Sequence, residues 1–294
     1  MNVKDFIQFQ KTINRPLILD GAIGSLLQQR NVEMHKTLWS SYANIVAPEK
    51  VTEVHKEYIN AGADIITTNT FRTNPISYKK ASLEISNSDF VKRSVELAQK
   101  AIDGNKNIIL AGSNPPAEDS YQVFRNISQN VIELNHKNHI DMLWDSGVDF
   151  VLNETQSHLD EIKVICEHCN SNNIPFMISL FVTAEGKILS GESLFDVLKY
   201  VSNFNPIAVG INCVTPAIFQ KNVSEIETKL RWGFYLNCGN GKFTDTEIFE
   251  GVTPANYIEI VKIKFKSEPL FIGSCCGSSP EHTKAIKEFV IENN

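Results

Sequence analysis

No apolar run in the 294-residue chain approaches the roughly 18 residues that a membrane-spanning helix needs. The opening MNVKDFIQFQ is charged and amphipathic and lacks the apolar core of a secretory signal. Basic residues are in the minority: 28 Lys and Arg against 34 Asp and Glu give a net charge of −6, and no basic stripe marks a nucleic-acid surface. The motifs of several common chemistries are missing too. There is no P-loop, and Gly21, Gly24 and Gly104 do not make a dinucleotide fingerprint. Ser25 and Ser279 lack the G-x-S-x-G setting of a hydrolase nucleophile, and none of the seven histidines forms H-E-x-x-H or H-x-H. Without such patterning, each histidine reads as solvated or half-buried. The six cysteines fall at irregular spacing, which is no disulfide framework, so a cytoplasmic protein with reduced thiols is expected.

What is present is material for a full-sized core: 42% of residues are apolar and 21% charged, which argues against global disorder. Eight short runs rich in Ile, Val, Leu and Phe cover 16–22, 63–70, 107–113, 149–155, 175–181, 208–213, 233–238 and 270–276. They are continuous rather than alternating, as in parallel strands covered on both faces. Helical segments fill most of the intervals. PEKVTEVHKEYINAG, for example, begins on Pro48 and ends on Gly62, and PAIFQKNVSEIETKLR follows the sixth run. An open doubly wound sheet uses the same alternation, but eight strand–helix units in a chain of this length favour an α/β fold of the (β/α)8 TIM-barrel type. No repeat, low-complexity tract or linker interrupts the pattern, so one domain over 1–294 is expected. The longest loop-like stretch, Asn114 to Asn126, follows the third strand.

In a barrel the C-terminal strand ends build the active site. Those ends carry Asp20, Asn69 with Thr70, Ser113, Glu154, Cys213, Cys238 and the adjacent pair Cys275 and Cys276. Neighbouring cysteines rarely bond to each other, because the bridge strains the peptide between them. Cys213, Cys275 and Cys276 together, with no obvious fourth ligand, suggest a zinc site with an open position, the catalytic rather than the structural arrangement. On spacing alone, the reading of these thiols as small buried hydrophobes stays open. Cys166 and Cys169 form C-x-x-C, yet Leu159, Ile162, Cys166 and Cys169 recur at helical spacing, which assigns both thiols to a buried helix face. Cys238 is expected on the rim beside the three thiols, with approach to a metal held there as the alternative.

Taken in order, LILDGAIGSLLQQR, GADIITTNTFRTNP, AGSNPPAEDSY, VDFVLNETQSHLDE, LFVTAEGKILSGESL, VGINCVTP and FIGSCCGSSPEHTKAI resemble the homocysteine S-methyltransferase family over nearly the whole chain. The resemblance implies a zinc-dependent (β/α)8 barrel in which Cys213, Cys275 and Cys276 are metal ligands and catalytic. Asp20 and Glu154 would hold the amino group of homocysteine, and the backbone at Gly21 and Ala22 would receive its carboxylate. Some positions depart from the family pattern: Gly273-Ser274 stands where two glycines are usual, Ser278 replaces a threonine, and Leu236-Asn237-Cys238-Gly239-Asn240 replaces a Tyr-Pro-Asn-like stretch.

The implied reaction is Zn2+-dependent methyl transfer from a small cationic donor to the thiolate of L-homocysteine, giving methionine. Cobalamin-dependent members are multidomain, and no D-x-H-x-x-G stretch occurs in this chain. Betaine users tend to be longer. A compact barrel is most similar to the S-methylmethionine-using branch, with S-adenosylmethionine as a poorer donor; a separate corrinoid protein or betaine is the alternative. Phe71, Tyr121 and Trp144 are available for cation–π contact with such a donor.

Overall fold

A computed structural model describes residues 3–222, 230–240 and 247–294. Eight parallel strands form one sheet: β1 (Leu17–Ile18), β2 (Ile65–Thr67), β3 (Ile109–Asn114), β4 (Phe150–Gln156), β5 (Phe176–Leu180), β6 (Val209–Asn212), β7 (Trp232–Leu236) and, last in sequence, β10 (Phe271–Ser274). An antiparallel pair outside this sheet, β8 (Gly239–Asn240) and β9 (Phe249–Glu250), lies between β7 and β10 in the chain. The sheet runs β1-β10-β7-β6-β5-β4-β3-β2, and a parallel bridge from Leu19 to Ile65 joins its two ends. The amide of Asp64 donates to Ile18 O at 2.7 Å and that of Asp20 to Ile65 O at 2.9 Å, which closes the (β/α)8 barrel. The strands are shorter than the apolar runs that announce them because several of those runs continue into the loops of the upper rim.

Helices α1 (Val3–Ile13), α2 (Ile23–Gln29), α3 (Ala43–Val46), α4 (Pro48–Ala61), α5 (Pro75–Ala81), α6 (Asn87–Ile102), α7 (Gln129–Asp145), α8 (Leu159–Ser171), α9 (Leu194–Val201), α10 (Pro216–Asn222), α11 (Pro254–Phe265) and α12 (Pro280–Glu292) alternate with the strands. Proline opens α4 where a free N–H would have no partner, and Gly62 ends it at φ 104°, a left-handed cap that a side chain resists. The helix expected over PAIFQKNVSEIETKLR is present as α10; residues 223–229 of that segment lie outside the described residues.

Two apolar layers hold the fold. One fills the barrel with Leu17, Leu19, Ile65, Ile109, Phe150, Leu152, Met177 and Phe271, and Phe6 of α1 joins it. The Phe6 ring meets Phe150 edge-on at 5.7 Å. The other layer lies between strands and helices and contains Ile162, Ile165, Cys166 and Cys169 of α8, so the C-x-x-C thiols are core residues as expected. All six cysteines are free, and among the described residues no helix is long and apolar enough to cross a membrane.

The histidines depart from expectation. His55, His136, His139, His158 and His282 are buried rather than solvated, because most of them are fixed by polar partners that a helical pattern does not reveal. Asn114 donates to His136 Nδ1 at 3.2 Å, and His136 Nε2 bonds Glu161. His139 Nδ1 donates to Asn114 Oδ1 at 2.8 Å, while its Nε2 meets Thr73 Oγ1 at 2.9 Å. Arg125 pairs with Glu161, whose Oε2 also accepts the Ala117 amide at 2.6 Å. This network fastens the loop between β3 and α7 onto α7 and α8. Among the described residues His55 has no hydrogen-bond partner on either ring nitrogen, and burial lowers its pKa to about 4.

Candidate active site

The strands deliver their polar residues to one cavity of about 800 Å3, within the range of small-molecule sites (roughly 300–1,000 Å3). Asp20, Gly21, Ala22, Thr67, Ser113, Glu154, Cys213, Tyr235, Cys275 and Cys276 all line it. The seven residues singled out by the sequence therefore share one space.

Cys213 follows β6 at φ 55°, a left-handed conformation uncommon for a residue with a Cβ. Its Sγ lies 3.6 Å from Cys276 Sγ, which is 3.9 Å from Cys275 Sγ, and all three sulfurs lie within 4.8 Å of one another. Two thiolates on a tetrahedral Zn2+ at about 2.3 Å each stand about 3.8 Å apart, so the donor set and its spacing fit a zinc ion. The turn that presents the pair ends on Gly277, at φ 81°. A Cβ there would come within 2.4 Å of Gly239 Cα, so no larger residue fits. The thiols are unequal. Hydrogen bonds from Cys275 and Cys276 hold Cys213 well below the usual thiol range, and the bonds and charge of Cys213 push its two neighbours up. A cation is therefore needed to hold all three as thiolates. Tyr121, on the loop after β3, places its hydroxyl 3.1 Å from Cys213 Sγ. Burial and the surrounding thiols raise its pKa well above the ordinary value, which keeps it a donor.

Cys238 is not in this cluster. It is buried, its thiol bonds Leu236 O at 3.6 Å, and burial raises its pKa. Its amide donates to Cys276 O at 2.8 Å, so Cys238 braces the turn through its backbone.

Asp20 and Glu154 face the same cavity. Asp20 accepts the Thr67 amide at 2.7 Å and the Thr67 hydroxyl at 3.1 Å. Burial still raises its pKa well above the carboxylate range, against those two bonds and with a small push from Glu154. Glu154 accepts from Ser113 Oγ and, at 3.5 Å, from Tyr235 Oη. Its pKa rises to about 7: burial raises it most, the Ser113 hydrogen bond opposes that, and the charge of Cys213 adds to the rise. Among the described residues neither acid has a lysine, arginine or histidine at ion-pair distance. A buried carboxylate, Asp20, and a half-buried one, Glu154, both met only by neutral donors, form a site that a ligand cation would complete. The amide of Gly21 has no acceptor among the described residues, whereas that of Ala22 donates to Ser278 Oγ at 3.1 Å. Ser278, where the family pattern has threonine, thus still supplies a hydroxyl to the turn.

Thr67, Tyr235 and the role of Ser113 escaped the sequence reading. Thr67 and Tyr235 sit within apolar strand runs, and only the register aims their polar atoms at the two acids. Phe71 and Tyr121 line the cavity, while Trp144 packs against the core away from it.

The family model for homocysteine S-methyltransferases matches residues 17–290. The chain belongs to the homocysteine S-methyltransferase family. Homocysteine S-methyltransferase of Escherichia coli strain K12 is 26% identical, over 92% of this chain and 94% of that protein. Homocysteine S-methyltransferase 1 of Zea mays is 24% identical, over 93% and 94%. A selenocysteine methyltransferase of Astragalus bisulcatus is 22% identical, over 95% and 93%. Among solved structures, the metallated form of the E. coli homocysteine methyltransferase MmuM shares the fold with a TM-score of 0.79 at 24% identity, covering 94% of this chain and 96% of that one.

Proposed function

We propose that the protein transfers a methyl group from a small cationic donor, with S-methylmethionine as the first choice, to the thiolate of L-homocysteine. The observation that carries this reading is the joining of three thiols and two carboxylates without a protein cation in one cavity. Family membership and relatives named for thiol and selenol methylation support it.

Cys213, Cys275 and Cys276 would hold a zinc ion. Bound there, Zn2+ supplies deprotonation of an incoming thiol whose pKa near 8.5 otherwise keeps it mostly protonated at neutral pH. Asp20 and Glu154 receive the ammonium group of homocysteine, and Ser113, Thr67 and Tyr235 orient the two acids. The Gly21 amide offers a neutral donor to the carboxylate. Tyr121 donates to Cys213 and so limits the negative charge gathered on the thiolate cluster. The substrate sulfur then displaces the donor's neutral thioether: a C–S bond forms to the methyl carbon as the bond to the sulfonium sulfur breaks. Holding both reactants in line contributes much of the rate.

The test is methionine formation from homocysteine by zinc-loaded protein, with S-methylmethionine, S-adenosylmethionine and betaine run in parallel. Turnover with S-methylmethionine, lost on chelation and restored by Zn2+, is expected. Turnover that survives complete metal removal, or none with any of the three donors, overturns the reading.

A further inference from the structure

The cavity that holds the thiols and the two acids also contains one arginine that the chemistry above does not use. Arg72 lies on the loop between β2 and α5, and that loop is braced on several sides. The Arg72 amide donates to Ser41 Oγ at 3.1 Å, Thr70 Oγ1 donates to Ser113 O at 2.7 Å, and Asn69 Nδ2 donates to Ser40 O at 2.8 Å. On this platform the guanidinium sits over the Phe71 ring, 5.2 Å from its centroid. Its Nη1 donates to Glu118 O at 3.1 Å.

That single bond uses one of five N–H donors. The other guanidinium nitrogens have no protein partner among the described residues and are not sealed from the cavity. No carboxylate lies at ion-pair distance from Arg72 among the described residues; Asp119 acts on it only from farther away. A guanidinium held over an aromatic ring, with a free donor edge, is matched to a carboxylate, which it binds in a two-pronged, charge-assisted geometry. Homocysteine leaves this group idle. Its ammonium has Asp20 and Glu154, and its carboxylate has the unpaired Gly21 amide on the β1 side. A cavity of about 800 Å3 exceeds the needs of one such amino acid.

We infer that Arg72 anchors a carboxylate on the methyl donor, so that the site selects cationic donors that also carry a carboxylate over simple sulfonium or ammonium ions. The inference rests on the methyl-transfer reading and adds to it a specificity-determining residue. Phe71 contributes a ring face beneath the guanidinium, and Glu118 contributes by fixing its rotation through a backbone oxygen.

Titration calorimetry on the zinc-loaded protein tests this without turnover, using S-methylmethionine and its carboxyl methyl ester as probes. The wild type is expected to bind the free acid about 10-fold or more tightly than the ester. Arg72→Gln should lose that preference, and Arg72→Lys should restore part of it, with thermal unfolding confirming that both variants are folded. Homocysteine affinity should stay within about twofold in Arg72→Gln. Equal binding of acid and ester by the wild type, failure to bind either, or an unchanged preference in Arg72→Gln overturns the inference. A loss confined to homocysteine also overturns it and moves Arg72 to the acceptor. Failure of the methyl-transfer reading looks different: the acid-over-ester preference persists while no donor yields methionine.

Discussion

The side chain of Asn212 grips Thr155 at two points, accepting its amide at 2.9 Å and donating to its hydroxyl at 2.8 Å. Both partners are buried, and each adjoins a residue of the candidate site, Cys213 on one side and Glu154 on the other. Thr155 has φ 58° and Cys213 φ 55°, values rare for residues with a Cβ and costly for a β-branched one. The register shift between β4 and β5 at Asn153 and Gln156 falls at the same place. The paired bonds thus hold two strained turns that aim a carboxylate and a thiol into one cavity. Asn212→Ala should destabilise the protein by about 1–3 kcal/mol, because the Thr155 amide is left buried and unpaired. It should also lower zinc occupancy as Cys213 relaxes. Thermal unfolding and metal analysis read both effects, and wild-type values for the two would remove Asn212 from this role.

Replacing one thiol of the cluster separates metal binding from folding. Cys276→Ser keeps the size of the side chain and the backbone bond from the Cys238 amide to Cys276 O. The variant should therefore fold, with a far-ultraviolet spectrum like the wild type, yet retain well under one zinc per chain and no methyl transfer. Full zinc content in Cys276→Ser would mean that the three sulfurs do not act as one ligand set.

The fold was legible in the sequence because a barrel repeats one signal eight times. Several apolar runs, LFIGSCC among them, end on the rim, where the polar residue that terminates the run faces the cavity; Cys238, which ends the seventh, does not. The same logic exposed Asp20, Glu154 and the three thiols as candidates. Contacts that depend on register rather than order stayed hidden. Tyr235 lies in the middle of an apolar run, and only the pairing of β7 with β6 and β10 directs its hydroxyl toward Glu154. The buried histidines were hidden for a related reason. His136 and His139 read as helix-surface residues until Asn114 and Thr73 arrive from other parts of the chain. Arg72 gave no signal either, since its place in the cavity depends on how the loop after β2 is braced.

Glu154→Gln tests the acceptor site. The amide keeps the shape and can still pair with Ser113 but cannot carry the negative charge that an ammonium group needs. Loss of one charge-assisted hydrogen bond is worth on the order of 1.5–3 kcal/mol. The Michaelis constant for homocysteine should rise about 10- to 100-fold while that for the donor changes little. A donor-specific effect would instead assign Glu154 to the methyl cation.

Glu161 links the loop carrying Tyr121 to the stability of the whole barrel. Burial by itself would raise its carboxyl, but the hydrogen bond from His136, the charge of Arg125 and the Ala117 amide outweigh that and hold it at about 2, below the ordinary 4.5. A carboxylate with a lowered folded-state pKa stabilises the protein above its unfolded value and loses that contribution as protons bind. The contribution is thus present in full above about pH 5 and fades between about 4.5 and 2. Its size is on the order of 3 kcal/mol. Glu161→Gln should accordingly be less stable than the wild type at pH 7 by roughly that amount, and the gap should narrow as the pH falls below 4.5. Urea unfolding of both proteins at pH 7, 5, 4 and 3 measures the gap directly. A gap that stays constant across that series would show that Glu161 contributes through packing alone, and that the loop holding Tyr121 against Cys213 does not depend on its charge.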